Sequence, residues 1–144
     1  MLEDKELVLK QSHLQVETDL NAFQEIMDWF EQFSNGLVQK QLALQCQLIL
    51  AESFTVVVRS ACESCLATTP IELELKLFAD YLEIRILEQG KRFCSLARLI
   101  SHEAATEGPR VIRFVPRLID ELCYICLPDR GNCLVMRKRL IKDT

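Results

Sequence analysis

Two cysteine pairs and one isolated acid are the residues whose types and spacing could do chemistry in this chain. Cys62-x-x-Cys65 and Cys123-x-x-Cys126 carry the gap of a zinc or iron–sulfur half-site. Glu52 stands in LAESFTVVVRSACESC, Leu50 to Cys65, a mostly apolar run with four successive β-branched residues, Thr55 to Val58. Such residues are poor helix formers. An acid kept at the head of that run is the position whose purpose the rest of the sequence must explain.

The metal reading fails at the second cysteine pair. Cys123 and Cys126 fall in a strand pattern, where residues three apart point to opposite faces. Two thiolates so placed cannot both reach one metal at about 2.3 Å. No glycine follows either pair to form a zinc-knuckle turn. No metal ligands are therefore expected, and Cys46, Cys123, Cys126 and Cys133 are expected as small buried apolar side chains. His13 and His102 sit in no metal or catalytic spacing and are expected at the surface.

The elements that must position Glu52 are legible from periodicity. His13 to Glu17 alternates around Leu14 and Val16, as a short strand does. Thr18 and Asp19 can cap a helix with an apolar stripe of Leu20, Phe23, Ile26, Met27, Phe30 and Phe33, ended by Ser34-Asn35-Gly36. The stripe and Trp29 are expected in the core. A second helix runs from Gln39 to about Cys65 and carries Glu52.

Ile71-Leu73-Leu75-Leu77 and Leu82-Ile84-Ile86 alternate with charged residues across Ala79-Asp80, the pattern of a hairpin. Val111 to Leu122 is expected as a helix kinked or delayed by Pro116. The last hairpin pairs Cys123–Leu127 with Cys133–Leu140. This order predicts an α+β fold, helices layered on one face of a mostly antiparallel sheet.

The chain has 144 residues, about half of them apolar and a quarter charged, which suits a single folded domain. A net charge of −4 argues against a duplex-binding surface. The one basic cluster, Arg137-Lys138-Arg139, is read as a solvated strand end. MLEDKELVLK lacks the basic start and apolar core of a signal peptide. No apolar run is read as reaching the roughly 20 residues of a membrane span. Seven cysteines without a secretory signal point to a reducing cytoplasm.

Three stretches resemble a known family. QCQLILAESFTVVVRSAC, TPIELELKLFADYLEIRILEQGKRF and RLIDELCYICLPDRGNCLVMRKRL are similar, in order and in element lengths, to the anti-sigma-factor serine kinases. These belong to the ATPase superfamily shared by histidine kinases, DNA gyrase and MutL-type repair proteins, and the likeness is closest to cyanobacterial versions. It covers residues 12–140 and implies one domain with the two-layer, Bergerat-type fold of the histidine-kinase-like ATPases.

The resemblance also implies where nucleotide would bind. The family's second helix carries a glutamate acting as general base, an asparagine four residues on that binds the bridging magnesium, and often a histidine four beyond that. The matching positions are Glu52, Val56 and Ser60, which share one helix face. The adenine-recognition motif, an aspartate followed by spaced glycines, corresponds to Glu88, Gly90 and Arg92. The glycine-rich lid corresponds to Gly108-Pro109-Arg110-Val111-Ile112, of which Gly108 and Arg110 keep the pattern. Pro109 has no N–H for a phosphate, and Val111 resists the backbone freedom of glycine.

Each motif has thus lost a part. Valine cannot replace an amide oxygen on magnesium, and phosphoryl transfer needs that metal to offset charge. The expectation is a degenerate member with no cofactor and Glu52 as the remnant of a base. It would bind a sigma factor, an anti-sigma-factor antagonist domain, or both, in partner-switching control of transcription. The expected binding surface spans Ser101 to Arg113 and Arg59 to Cys65. The alternative is an active serine-protein kinase that uses ATP and magnesium to phosphorylate the antagonist. Neither nucleic acid nor membrane is expected as a partner. A homodimer is allowed, since family members often pair through the sheet and its first strand.

Overall fold

The computed structural model describes residues 7–63, 70–88, 119–127 and 131–140. They form one five-stranded, wholly antiparallel sheet in the order β1-β2-β3-β5-β4, with two helices. The strands are β1 (Lys10–Val16), β2 (Ile71–Leu77), β3 (Tyr81–Glu88), β4 (Glu121–Leu127) and β5 (Gly131–Arg139). The helices are α1 (Phe23–Ser34) and α2 (Lys40–Glu63). This is the α+β arrangement that the element order predicts.

The middle hairpin follows its alternation closely. Ile71, Leu73, Leu75 and Leu77 of β2 are buried while the residues between them are half-buried. Leu82, Ile84 and Ile86 continue the same face on β3, and Leu134 and Met136 on β5, through the pairs Leu73↔Ile86↔Leu134 and Leu75↔Ile84↔Met136. Ile26, Phe30 and Phe33 of α1 and Cys46, Ile49, Leu50, Phe54, Val56, Val57 and Val58 of α2 complete one core cluster. Burying each such large side chain contributes about 1.5–3 kcal/mol.

Local chemistry sets the ends of α1. The Asp19 carboxylate accepts a hydrogen bond from the Asn21 amide at 2.9 Å, and Leu20–Ala22 form a single 3₁₀ turn before α1 begins at Phe23. The helix therefore starts later than the capping pattern predicts. At its other end the chain turns through Gly36, whose φ of +81° favours a residue without Cβ. Lys10 Nζ donates to the Phe33 carbonyl at 3.1 Å and lies 4.9 Å from the Phe33 ring centre, tying β1 to the carbonyl end of α1.

Several expectations need correction. Strand β1 begins at Lys10, not His13, because Leu9 and Lys10 onward already pair with β2. Glu121 and Leu122 are not the end of a helix: they pair with Arg137 and Met136 as the start of β4. Residues 111–118 of that expected helix lie outside the described residues. Leu20 and Phe23 are exposed and Met27 is half-buried, unlike Ile26, Phe30 and Phe33, so only the later part of the stripe enters the core. Trp29 is half-buried against the core and its Nε1 donates to Ser12 Oγ at 2.9 Å.

The span Lys40–Arg59 of α2 is, by length and composition, long and apolar enough to cross a bilayer, which revises the expectation that no run is. Its window is 44% buried within the fold, and the core helix of a folded domain meets the same measure.

Candidate functional site

Glu52, Val56 and Ser60 all lie in α2, so one helix presents the three positions one turn apart, as their spacing predicts. Their environments differ. Glu52 is half-buried. Val56 retains only 2% of its surface and belongs to the continuous core cluster with Phe54, Val57 and Ile84. Ser60 lies in the helix, but its side chain is outside what the structure describes.

Tertiary packing explains why four β-branched residues are tolerated here. Ser53, Phe54, Val56, Val57 and Val58 are all buried, which at 3.6 residues per turn packs more than half of the helix circumference and leaves the side of Glu52, Thr55 and Arg59 partly exposed. Thr55 points its hydroxyl back to the Ala51 carbonyl at 2.8 Å, satisfying itself within the helix. Ser53 Oγ contacts the thioether of Met136 on β5 at 3.6 Å, a weak acceptor for a hydroxyl that is almost fully buried.

Val56 itself offers no ligand to a bridging magnesium. A hard cation needs oxygen, and the side chain one turn beyond Glu52 is a buried hydrocarbon. Among the described residues no group of three His, Cys, Asp or Glu side chains is placed to hold a metal ion.

The other expected site residues are less accessible to description. Glu88 ends β3 and pairs with Asn132 of β5, with its side chain outside the described set. Gly90, Arg92, Gly108 and Arg110 lie outside the described residues, as do His102, Cys65, Cys94 and the lid surface Ser101–Arg113. Arg59 is exposed. His13 is exposed as expected, 3.7 Å from Glu72 on the neighbouring strand.

The cysteines divide. Cys46 and Cys133 are buried as expected, but Cys123 is exposed, because β4 is the edge strand of the sheet. Burial, offset in part by Lys138 and reinforced by Asp120, pushes the Cys46 thiol up to about 12. Cys133 is raised too, chiefly by burial. Both thiols are therefore protonated and poor nucleophiles. Cys126 lies in β4 with its side chain outside the described set.

Among the described residues, the most organised polar constellation is one that sequence reasoning missed. Glu83, 1% exposed, lies on the sheet face away from the core and accepts from Arg85 Nε at 2.5 Å and Arg137 Nε at 2.9 Å. Arg137 also lies 4.6 Å from the Tyr81 ring centre and 3.5 Å from Glu121. Desolvation works to lower the Arg137 pKa, but the hydrogen bond and charge of Glu83 outweigh it and raise it. The basic cluster is therefore not simply a solvated strand end. Its signal in the sequence was the alternation of charges opposite the apolar face, but the pairing needs the β3–β5 register, Glu83↔Arg137.

No curated protein sequence matches the chain. The family model for the histidine kinase-like ATPase domain matches residues 16–138, a span that starts at the last residue of β1 and ends within β5. With that match over most of its length, the chain belongs to the histidine kinase-like ATPase domain family.

Proposed function

We propose that this chain is a degenerate anti-sigma regulatory factor, a cytoplasmic protein-binding module rather than a kinase. Its partners would be a sigma factor, an anti-sigma-factor antagonist domain, or both. One observation carries the reading: the position one turn beyond Glu52, where the resemblance calls for a magnesium-binding amide, is a valine sealed into the core. Pro109 and Val111 in the lid sequence point the same way, since they remove a phosphate-facing donor and the freedom of a glycine. Each lost contact is worth roughly 1–3 kcal/mol, and together they would bring Mg-nucleotide affinity below a useful level.

Calorimetric titration with Mg-ADP tests this. No binding tighter than about 50 μM, equivalent to roughly −6 kcal/mol, is expected. Tighter, magnesium-dependent binding together with phosphorylation of an antagonist-domain serine would establish the alternative, an active serine-protein kinase with Glu52 as its base.

A further inference from the structure

The exposed large apolar side chains that follow β1 all lie on the helical layer. Among the described residues they are Leu20, Phe23, Leu37, Leu44 and Leu48, each between 38% and 60% exposed. Leu44 and Leu48 stand one turn apart on α2, on the side away from the core residues Cys46, Ile49 and Leu50. No charge lies among them: from Gln41 to Ala51, QLALQCQLILA, the polar positions are all glutamine. Depletion of charge around exposed apolar side chains marks the centre of an interface.

The neighbouring helix carries charge of one sign only. Residues 11–39 hold five acids, Glu17, Asp19, Glu25, Asp28 and Glu31, all exposed, and no lysine or arginine. Glu25, Asp28 and Glu31 succeed one another at three-residue spacing on α1, so like charges are neighbours there. Glu31 also sits in the last turn, where the helix dipole favours a cation and α1 supplies none. Lys10 reaches that end from β1, and Gln24 Nε2 donates to Asp28 at 2.9 Å. Among the described residues none of the three carboxylates is in an ion pair. A local rule broken without compensation inside the fold points to a function outside it.

Residues 35–39 join α1 to α2 in a short link, so the two helices lie side by side in opposite senses. Their exposed sides face away from the sheet, and the layer presents an uncharged leucine ridge next to an acidic one. Charge selects the occupant. A nucleic-acid duplex or an anionic lipid surface would be repelled by the carboxylates. A basic amphipathic helix satisfies both ridges at once.

We infer that the outer surface of the α1–α2 layer docks a basic amphipathic helix of another protein. Its apolar stripe would lie on Leu44 and Leu48, and its cationic flank along Glu25, Asp28 and Glu31. These residues are separate from Ser101–Arg113 and Arg59–Cys65, and their role does not depend on whether Mg-nucleotide binds.

Fluorescence anisotropy of a short labelled model peptide, leucine on one side of a helix and lysine on the other, tests the inference against the full chain. The wild type is expected to bind it, and more weakly as salt rises. Leu44→Gln with Leu48→Gln should weaken binding by about tenfold or more, and Asp28→Asn with Glu31→Gln by about fivefold or more. Each double variant should keep the wild-type circular dichroism spectrum. Glu72→Gln with Glu74→Gln removes the same charge from the opposite face of the sheet and should leave affinity within about twofold.

A wild type that does not bind at near-millimolar peptide overturns the inference. So does a loss in the β2 variant as large as in the α1 variant, which would mean diffuse attraction to net charge. Binding indifferent to the two leucine substitutions would place the contact elsewhere, with the same consequence. If the leucine variant does not fold, the contrast between the α1 and β2 variants decides. Binding to anionic lipid vesicles, lost in Leu44→Gln with Leu48→Gln, would overturn it in favour of a membrane surface.

Discussion

The two halves of α2 are one continuous helix in two different environments. From Lys40 to Ala51 it is one-sided, with Cys46, Ile49 and Leu50 buried and Leu44 and Leu48 turned outward. From Glu52 to Val58 it is more deeply packed, with Ser53, Phe54, Val56, Val57 and Val58 buried and the side of Glu52 and Thr55 half-open. The sequence changes with the environment: glutamines alternate with leucines in the first half, and β-branched residues crowd the second. Helix propensity is therefore satisfied where solvent reaches the helix and overridden where packing takes over. The half that resembles a catalytic helix is the half that is filled with hydrocarbon.

Substitutions can break that contrast. The largest effect is expected at Phe54, fully buried in the second half: Phe54→Ala should cost about 3–5 kcal/mol in urea unfolding, with a cavity left behind. A loss under about 1 kcal/mol would mean the second half is not deeply packed.

Val56→Asn should cost about 1–3 kcal/mol, because a buried amide there would lack partners, and it should not confer phosphorylation of an antagonist serine. A neutral Val56→Asn with magnesium-dependent nucleotide binding would show that the wall around Val56 opens readily.

A pH dependence sharpens the comparison from the other half. The folded Cys46 thiol has its pKa raised from the ordinary 9.0 to about 12, so the folded chain holds a proton that the unfolded chain releases. Stability from this group is fully present below pH 9.0 and is lost as pH rises toward about 12. The slope in that window is about 1.4 kcal/mol per pH unit at most. Cys46→Ala should flatten the alkaline limb of the stability profile, although Cys133 contributes in the same direction. Thiol labelling should follow the same division, with Cys123 reacting in the folded protein and Cys46 only on unfolding.

The smallest effect is expected on the exposed side of the first half. Leu44→Gln, at a position 60% exposed, should change stability by no more than about 0.5 kcal/mol in urea unfolding.

What was legible in the sequence follows from the range of the physics involved. The β2–β3 hairpin was readable because a period of two and a short turn are local, and its observed register keeps the buried apolar residues of both strands on the expected face. The alignment of Glu52, Val56 and Ser60 was readable because helical spacing is local too. The start of β4 was not, since Glu121 and Leu122 continue a helix-like apolar spacing and only pairing with Arg137 and Met136 decides for a strand. The exposure of Cys123 depends on which strand lies at the edge, and strand order is not written in alternation. The Glu83 cluster joins residues 54 apart, so no window along the chain could contain it.

The sheet register also separates local pairings from distant ones. Strands β2 and β3 need only close the short turn in which the Phe78 amide donates to the Tyr81 carbonyl at 2.9 Å. Strand β1 must wait for its partner, because Val16 pairs with Ile71 across the whole helical segment that lies between them in sequence. Closing a longer loop costs more entropy before any contact repays it, and such pairings slow folding. In pulsed hydrogen exchange during refolding, amides of Leu73 to Leu77 facing β3 should gain protection before those of β1. The strand tied by Lys10 to the end of α1 would then join the sheet after the β2–β3 hairpin has formed.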